Sequence, residues 1–180
     1  SWRASMTNTP RLSLREFQAR LNERLQQAAD AGIDARLGLE IGSERWLVEL
    51  ADAGEIVPMP DRIVAVPLTH SWFKGLVSLR GALVGVSDLS EFAGQGRTAI
   101  GRESRLVSFA SRFGVNAAII ASRMLGLHGT ESMRREETGQ DIVGRAPWVG
   151  ATWIDAEGRR WRELSFERLS SDPAFLAIGR

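Results

Sequence analysis

Four places in this 180-residue chain have side-chain types and spacings that suggest chemistry, and each falls short of a site. His70 and His128 are the two histidines, and neither has a second ligand-type residue at a metal spacing such as H-x-x-x-H. Both read as ordinary histidines, one in a loop and one at a strand end. The carboxylates Glu49, Asp52 and Glu55 cluster, but nothing around them suggests an apolar pocket that would raise one of them into a general acid. The glycine-rich segment Gly94-Gln95-Gly96-Arg97-Thr98-Ala99-Ile100-Gly101 has neither the lysine of a phosphate-binding loop nor the G-x-G-x-x-G spacing. No G-x-S-x-G elbow occurs, and with no cysteine there is no thiolate nucleophile, zinc-thiolate site or disulfide. The expectation is a protein with no catalytic residues, no cofactor-binding residues and no metal site.

Charge narrows the partners. Lysine and arginine total 23 against 22 acidic residues, a net charge of +1, so no strong field attracts nucleic acid or anionic lipid. Lys74 is the only lysine, and the arginines are not interleaved with a row of aromatics, as a single-strand-binding barrel would require. No apolar run approaches the roughly 20 residues that span a bilayer, and residues 1–10 hold no apolar signal-peptide core. These features lead to the expectation of a cytoplasmic protein with no nucleic-acid partner and no direct membrane insertion.

The informative stretch runs from Gly75 to Leu89. Two short apolar runs meet at Arg80-Gly81, a corner where glycine takes positive φ without a steric clash, so a hairpin should hold the arginine outward. Tryptophan and arginine anchor buried protein interfaces, and Trp72, just before Gly75, is the tryptophan to pair with Arg80 if both reach one surface. Trp153 and Trp161 read as core filling.

Around this hairpin the chain alternates short β-like runs with turn residues. An N-terminal helix is expected first: Leu14, Phe17, Leu21, Leu25 and Ala28 share a face, with Ser13 and Glu16 as a capping box and Gly32 as the stop. Such a helix covers its own domain, meets a partner or lies on a membrane; packing on its own domain is the commonest fate. Strands follow at residues 37–41, 46–50, 55–57 (at an edge, because Pro58 and Pro60 follow), 63–66, 105–110 and 113–120. Asp88 should cap one helical turn with Glu91 reaching back, and residues 129–146 read as a long mobile loop. A hairpin about residues 155–158 and two short helical turns, opened by Ser165 and by Asp172-Pro173, close the chain. Many short strands with frequent turns argue a mainly β fold of barrels.

The run from Gly75 to Leu89, written G-x-x-x-L-R-G-x-x-x-x-x-x-D-L, resembles the signature of the CheW-like domain of bacterial chemotaxis adaptors. Glu55-Ile56, Ile63 and Val66-Pro67 upstream, and Arg105 to Ile120 with Met124-Leu125-Gly126-Leu127 downstream, extend the likeness over about 130 residues. The N-terminal helix, the tryptophan region and the ending Leu169 to Leu176 are similar to the PilI-type adaptors of type IV pilus twitching motility. Ser78 stands where the family commonly has asparagine, and Ser87 also departs from the usual pattern before Asp88; these changes leave the hairpin intact and bear on partner choice.

The resemblance implies two interlocked SH3-like five-stranded β-barrels with an N-terminal helix and a short C-terminal helix. It divides the chain into a helical extension (1–34), a CheW-like domain (35–170) and a short helical tail (171–180). It implies a non-catalytic signalling adaptor that binds the regulatory domain of a CheA-type histidine kinase and, in a groove between barrels, the cytoplasmic tip of a methyl-accepting chemoreceptor. Such adaptors sit with receptor arrays at the inner face of the membrane. Arg80 matches the family's exposed, partner-contacting arginine, with Leu79, Gly81 and Asp88 as its structural flanks. A general flagellar coupling protein of the same family is the alternative, followed by a nucleic-acid-binding barrel and by a pathway hydrolase that would need a polar pocket.

Overall fold

The computed structural model describes residues 16, 19, 20, 22, 23, 35–137 and 145–180. Among the described residues eleven strands form two sheets: β1 (Arg36–Ile41), β2 (Glu44–Glu49), β3 (Ala53–Pro58), β4 (Phe73–Leu79), β5 (Ala82–Ser87), β6 (Arg105–Phe109), β7 (Ala117–Ala121), β8 (Arg123–His128), β9 (Arg134–Glu136), β10 (Val149–Ile154) and β11 (Arg160–Leu164). One sheet has the order β8-β1-β2-β11-β10-β9 and the other the order β3-β6-β7-β5-β4. The mainly β, two-sheet architecture agrees with the expected fold, and the six-stranded sheet carries one strand beyond the expected five.

The sheets interlock through the chain's route. β1 and β2 open the six-stranded sheet, residues 53–121 build the whole second sheet, and the chain then returns to complete the first. Two seams close it: antiparallel pairing of β1 with β8 and parallel pairing of β2 with β11, where Arg45 faces Trp161. These pairings join segments far apart in the chain, Arg36 with His128 in one seam and Arg45 with Trp161 in the other, which a local reading of the chain cannot supply.

Alternation along β6 and β7 divides the core. Leu106 opposes Ile120 and Val107 opposes Ile119 in one antiparallel ladder, so successive residues point to opposite faces. Val107 and Ile119 join a large cluster that both sheets share, while Leu106 and Ile120 join a smaller one with Val77, Val84 and Val86 inside the five-stranded sheet. Aromatic rings run through the shared cluster from Trp46 on β2 via Trp148, Phe92 and Phe175 to Phe109 on β6, each step 5.5–6.1 Å between ring centroids. Such pairs contribute about 0.5–1.5 kcal/mol each beyond area burial, and this chain of rings ties one sheet to the other.

Several expectations need correction. Residues 63–66 form no strand; only Val64 pairs, through two 2.9 Å backbone bonds to Leu76 on the edge strand β4. That crossing explains Gly75: its φ is +132°, and a Cβ there would lie 2.1 Å from the Val64 carbonyl oxygen. The expected mobile loop at 129–146 contains β9, which pairs with β10 and extends the sheet; residues 138–144 lie outside the described residues. Glu91 does not reach back to its helix start but bonds the Lys74 ammonium at 2.5 Å. The N-terminal helix falls mostly outside the described residues, including Leu14, Phe17, Leu21, Leu25, Ala28, Ser13 and Gly32. Residues 16, 19, 20, 22 and 23 are helical, and Asn22 Oδ1 accepts the Ile56 amide of β3 at 3.3 Å.

The strand expected at 113–120 begins only at Ala117, because Ser111–Phe113 form a 3-10 turn closed by Gly114 at φ +68°. β8 is not among the expected strands. The strands expected at 37–41, 46–50, 55–57 and 105–110, the Asp155–Arg159 turn and the terminal caps agree with the expectation. Ser165 caps the helix Phe166–Ser170, and Asp172 caps Pro173–Leu176, with proline in the first turn.

Candidate functional site: a hairpin tip and an inter-sheet groove

Arg80 and Gly81 form the two-residue turn between β4 and β5, with φ of +50° and +78°. Positive φ at both central positions matches the twist of a hairpin, and glycine, asparagine and aspartate are the residues that normally accept it. Arginine at the first position is therefore strained, by about 1–2 kcal/mol on the usual scale for a left-handed residue. The Arg80 side chain is 75% exposed, and its Nε lies 2.7 Å from Glu55 Oε1 on β3. β3 and β4 are the two edges of their sheet, so this ion pair spans the sheet's open side. Leu79 is half-buried and Gly81 is exposed beside the tip.

Trp72 does not join them. Its side chain is buried, with the ring 4.9 Å from Phe92, 5.9 Å from Phe175 and stacked on His70 at 5.5 Å. It precedes β4 while Arg80 follows it, which separates the two by roughly 25 Å of extended chain. The expected Trp72–Arg80 surface pair is therefore not formed, because Trp72 serves the shared core.

Asp88, the acidic end of the signature, is fully buried and accepts four hydrogen bonds. Its donors are the amides of Ser90 (3.1 Å) and Glu91 (3.3 Å) and, at 2.7 Å each, the amide and hydroxyl of Thr98. One carboxylate thus caps the helix Leu89–Phe92 and pins the glycine-rich loop that follows. That loop is a latched connection rather than a phosphate cradle.

The latch positions one wall of a groove of about 690 Å³ between the six-stranded sheet and the helix and loop that follow β5 of the other sheet. Trp46, Trp148, Phe92 and Leu89 supply apolar lining, and Arg97, Arg145 and Arg162 line it from different segments. Arg162 faces Glu44 at 3.5 Å. Arg145 donates to the Gly150 carbonyl and the Thr152 hydroxyl, which are neutral groups. No residue here was singled out from sequence as groove-lining, because its walls come from positions 41 to 174 and no local pattern marks them.

The three clustered carboxylates part company. Glu55 meets Arg80, Asp52 meets Arg112, and Glu49 is exposed. Burial raises the Asp52 carboxyl above its ordinary value, with neighbouring Glu49 adding to the shift and Arg112 opposing it. Glu91 is lowered by its hydrogen bond from Lys74, against some desolvation. His128 donates from Nε2 to the Leu125 carbonyl, 2.6 Å away, and its ring lies 4.6 Å from Trp161. Among the described residues no group of three or more His, Cys, Asp or Glu is placed to hold a metal ion, and no helix is long and apolar enough to cross a membrane.

A two-sheet scaffold with a strained arginine hairpin and an aromatic-floored groove defines an interaction protein of the adaptor class. Residues 36–174 match the CheW-like domain, and the chain belongs to that family of scaffold adaptors in chemotactic signal transduction. It is 26% identical over 91 residues to the protein PilI of Pseudomonas aeruginosa, an alignment covering 51% of this chain and 50% of that protein. The chain thus spans about half the length of the curated relative it matches. Its fold is similar to that of the scaffolding protein TtCheW from Thermoanaerobacter tengcongensis, with a TM-score of 0.60 at 18% identity, covering 74% of this chain and 89% of that one.

Proposed function

We propose that this chain is a non-catalytic adaptor that couples a methyl-accepting chemoreceptor to a CheA-type histidine kinase in the control of type IV pilus twitching motility. The observation that carries the reading is Arg80: a residue type the turn disfavours, held at positive φ on an exposed hairpin tip. Backbone strain of this kind persists at recognition sites, where the surrounding structure enforces it. Leu79, Arg80 and Gly81 form the kinase-binding tip, and Glu55 orients the guanidinium until a partner carboxylate competes for it. Trp72 contributes through the core rather than by contact. The inter-sheet groove receives the receptor tip, so receptor and kinase occupy separate surfaces of one rigid body and signalling passes as a change in their relative affinities. Likeness to PilI favours the pilus pathway over the flagellar one. The protein then works on the cytoplasmic side of the inner membrane, among receptor arrays.

Capture of a purified CheA-type regulatory domain by the full chain tests this reading. Arg80→Glu should weaken capture by about 2 kcal/mol or more, the range of an interface anchor. Absence of any kinase contact in the wild type overturns the adaptor reading, and unchanged binding by the variant removes Arg80 from it.

A further inference from the structure

We infer that the inter-sheet groove selects a carboxylate-bearing amphipathic helix through a two-sided arginine clamp, Arg97 on one wall and Arg145 on another. This rests on the receptor-binding role proposed for the groove and adds the chemistry its occupant must carry. Neither arginine closes an ion pair with a described carboxylate, whereas Arg162 on the same lining already has Glu44. Arg97 is exposed, yet its backbone is fixed, because Thr98 gives both its amide and its hydroxyl to the buried Asp88 carboxylate. Its field reaches Glu91, contributing to that carboxyl's lowered pKa, although Lys74 rather than Arg97 bonds Glu91.

The same groove is lined by Trp46 and Trp148, 6.0 Å apart and showing only their edges, and by the half-buried Phe92, 6.1 Å from Trp148. Its two carboxylates are engaged, Glu44 with Arg162 and Asp172 as a helix cap. An apolar floor with cationic rims fits an amphipathic helix whose buried stripe is flanked by glutamate or aspartate. Planar guanidinium groups bind carboxylates bidentately, so the rims set orientation and register while the floor supplies apolar burial. Asp88 is the positioning residue, since it holds the loop that presents Arg97.

The test is calorimetric titration of the full chain with the purified cytoplasmic tip of a methyl-accepting chemoreceptor, as wild type and with the tip's glutamates changed to glutamine. Arg97→Glu should weaken wild-type tip binding about tenfold or more, and salt should weaken it in the wild-type chain. Arg97→Lys should lose less, and Arg102→Glu, the same charge change outside the groove lining, should stay within about twofold. The glutamine tip should bind the wild type more weakly and be insensitive to Arg97→Glu, which identifies the carboxylate as the clamp's partner. Tip binding that Arg97→Glu disturbs no more than Arg102→Glu overturns the clamp and leaves the adaptor reading standing. No tip binding by the wild-type chain overturns the clamp together with the groove's receptor role, and kinase capture through the Arg80 hairpin remains a separate measurement.

Discussion

Strand β4 joins two regions built on opposite principles. Before it lies Trp72, buried among Phe92, Phe175 and His70, where every contact serves cohesion between the sheets. After it stands Arg80, three-quarters exposed and strained, with one carboxylate at its Nε. Cohesion and presentation need each other: a side chain on a strained turn is presented reproducibly only if the strands beneath it are fixed. The comparison teaches that residue type alone does not mark an interface, since tryptophan and arginine are both common anchors and here only the arginine reaches the surface.

The sharpest way to break this comparison is Trp72→Ala, which should cost about 3–5 kcal/mol of stability in a urea titration, as large aromatic truncations in cores do. Stability within about 1 kcal/mol of wild type, coupled with lost kinase capture, would show that the tryptophan end was the recognition end after all. Asp88→Ala comes next. It orphans the Ser90, Glu91 and Thr98 donors and should cost about 2–4 kcal/mol, with faster hydrogen exchange at the Thr98 amide than at the β6–β7 ladder.

A smaller, conditional effect belongs to the Asp155 turn. Desolvation opposes ionisation there, but the Trp161 indole and Arg159 hydrogen-bond the carboxylate and hold it well below its ordinary value of 3.8. A carboxyl lowered on folding contributes stability that is fully present above 3.8 and is lost as pH falls toward the folded value. Asp155→Asn should therefore lower the melting temperature near neutral pH and flatten its fall on acidification; an unchanged acid limb would remove the turn from the protein's acid response. Smallest of all is the stability effect of Arg80→Gly. Glycine accepts positive φ, so thermal stability should stay within about 0.5 kcal/mol or rise, while kinase capture falls. Destabilisation beyond about 1 kcal/mol would make the Glu55 ion pair structural rather than presentational.

Much of the fold was legible along the chain because its signals are local. The Leu37–Ile41 alternation, the Asp155–Arg159 turn and the Ser165 and Asp172 caps each depend on neighbours within a few residues. Arg80-Gly81 was readable as a corner for the same reason, although that arginine itself would take positive φ was not, since the turn type follows from the twist of the paired strands. Residues 63–66 and 134–136 misled because edge pairing depends on what lies alongside, and the short charged run Arg134-Arg135-Glu136 has no strand signature of its own. Arg97 and Arg145 carried no signal in sequence; each is one arginine among many until the fold sets both beside Trp46 and Trp148.

By itself, then, the sequence determined the mainly β class and the locally signalled strands, turns and caps, the hairpin that bears Arg80, and the family to which residues 36–174 belong. Tertiary structure alone decided that Trp72 is core, that Glu55 faces Arg80, and that Asp88 reaches ten residues forward to Thr98. The physical reason is range. Turns, caps and strand alternation are set by steric and hydrogen-bonding terms between near neighbours, whereas burial, ion pairing and groove formation arise only when the route of the chain brings distant segments together.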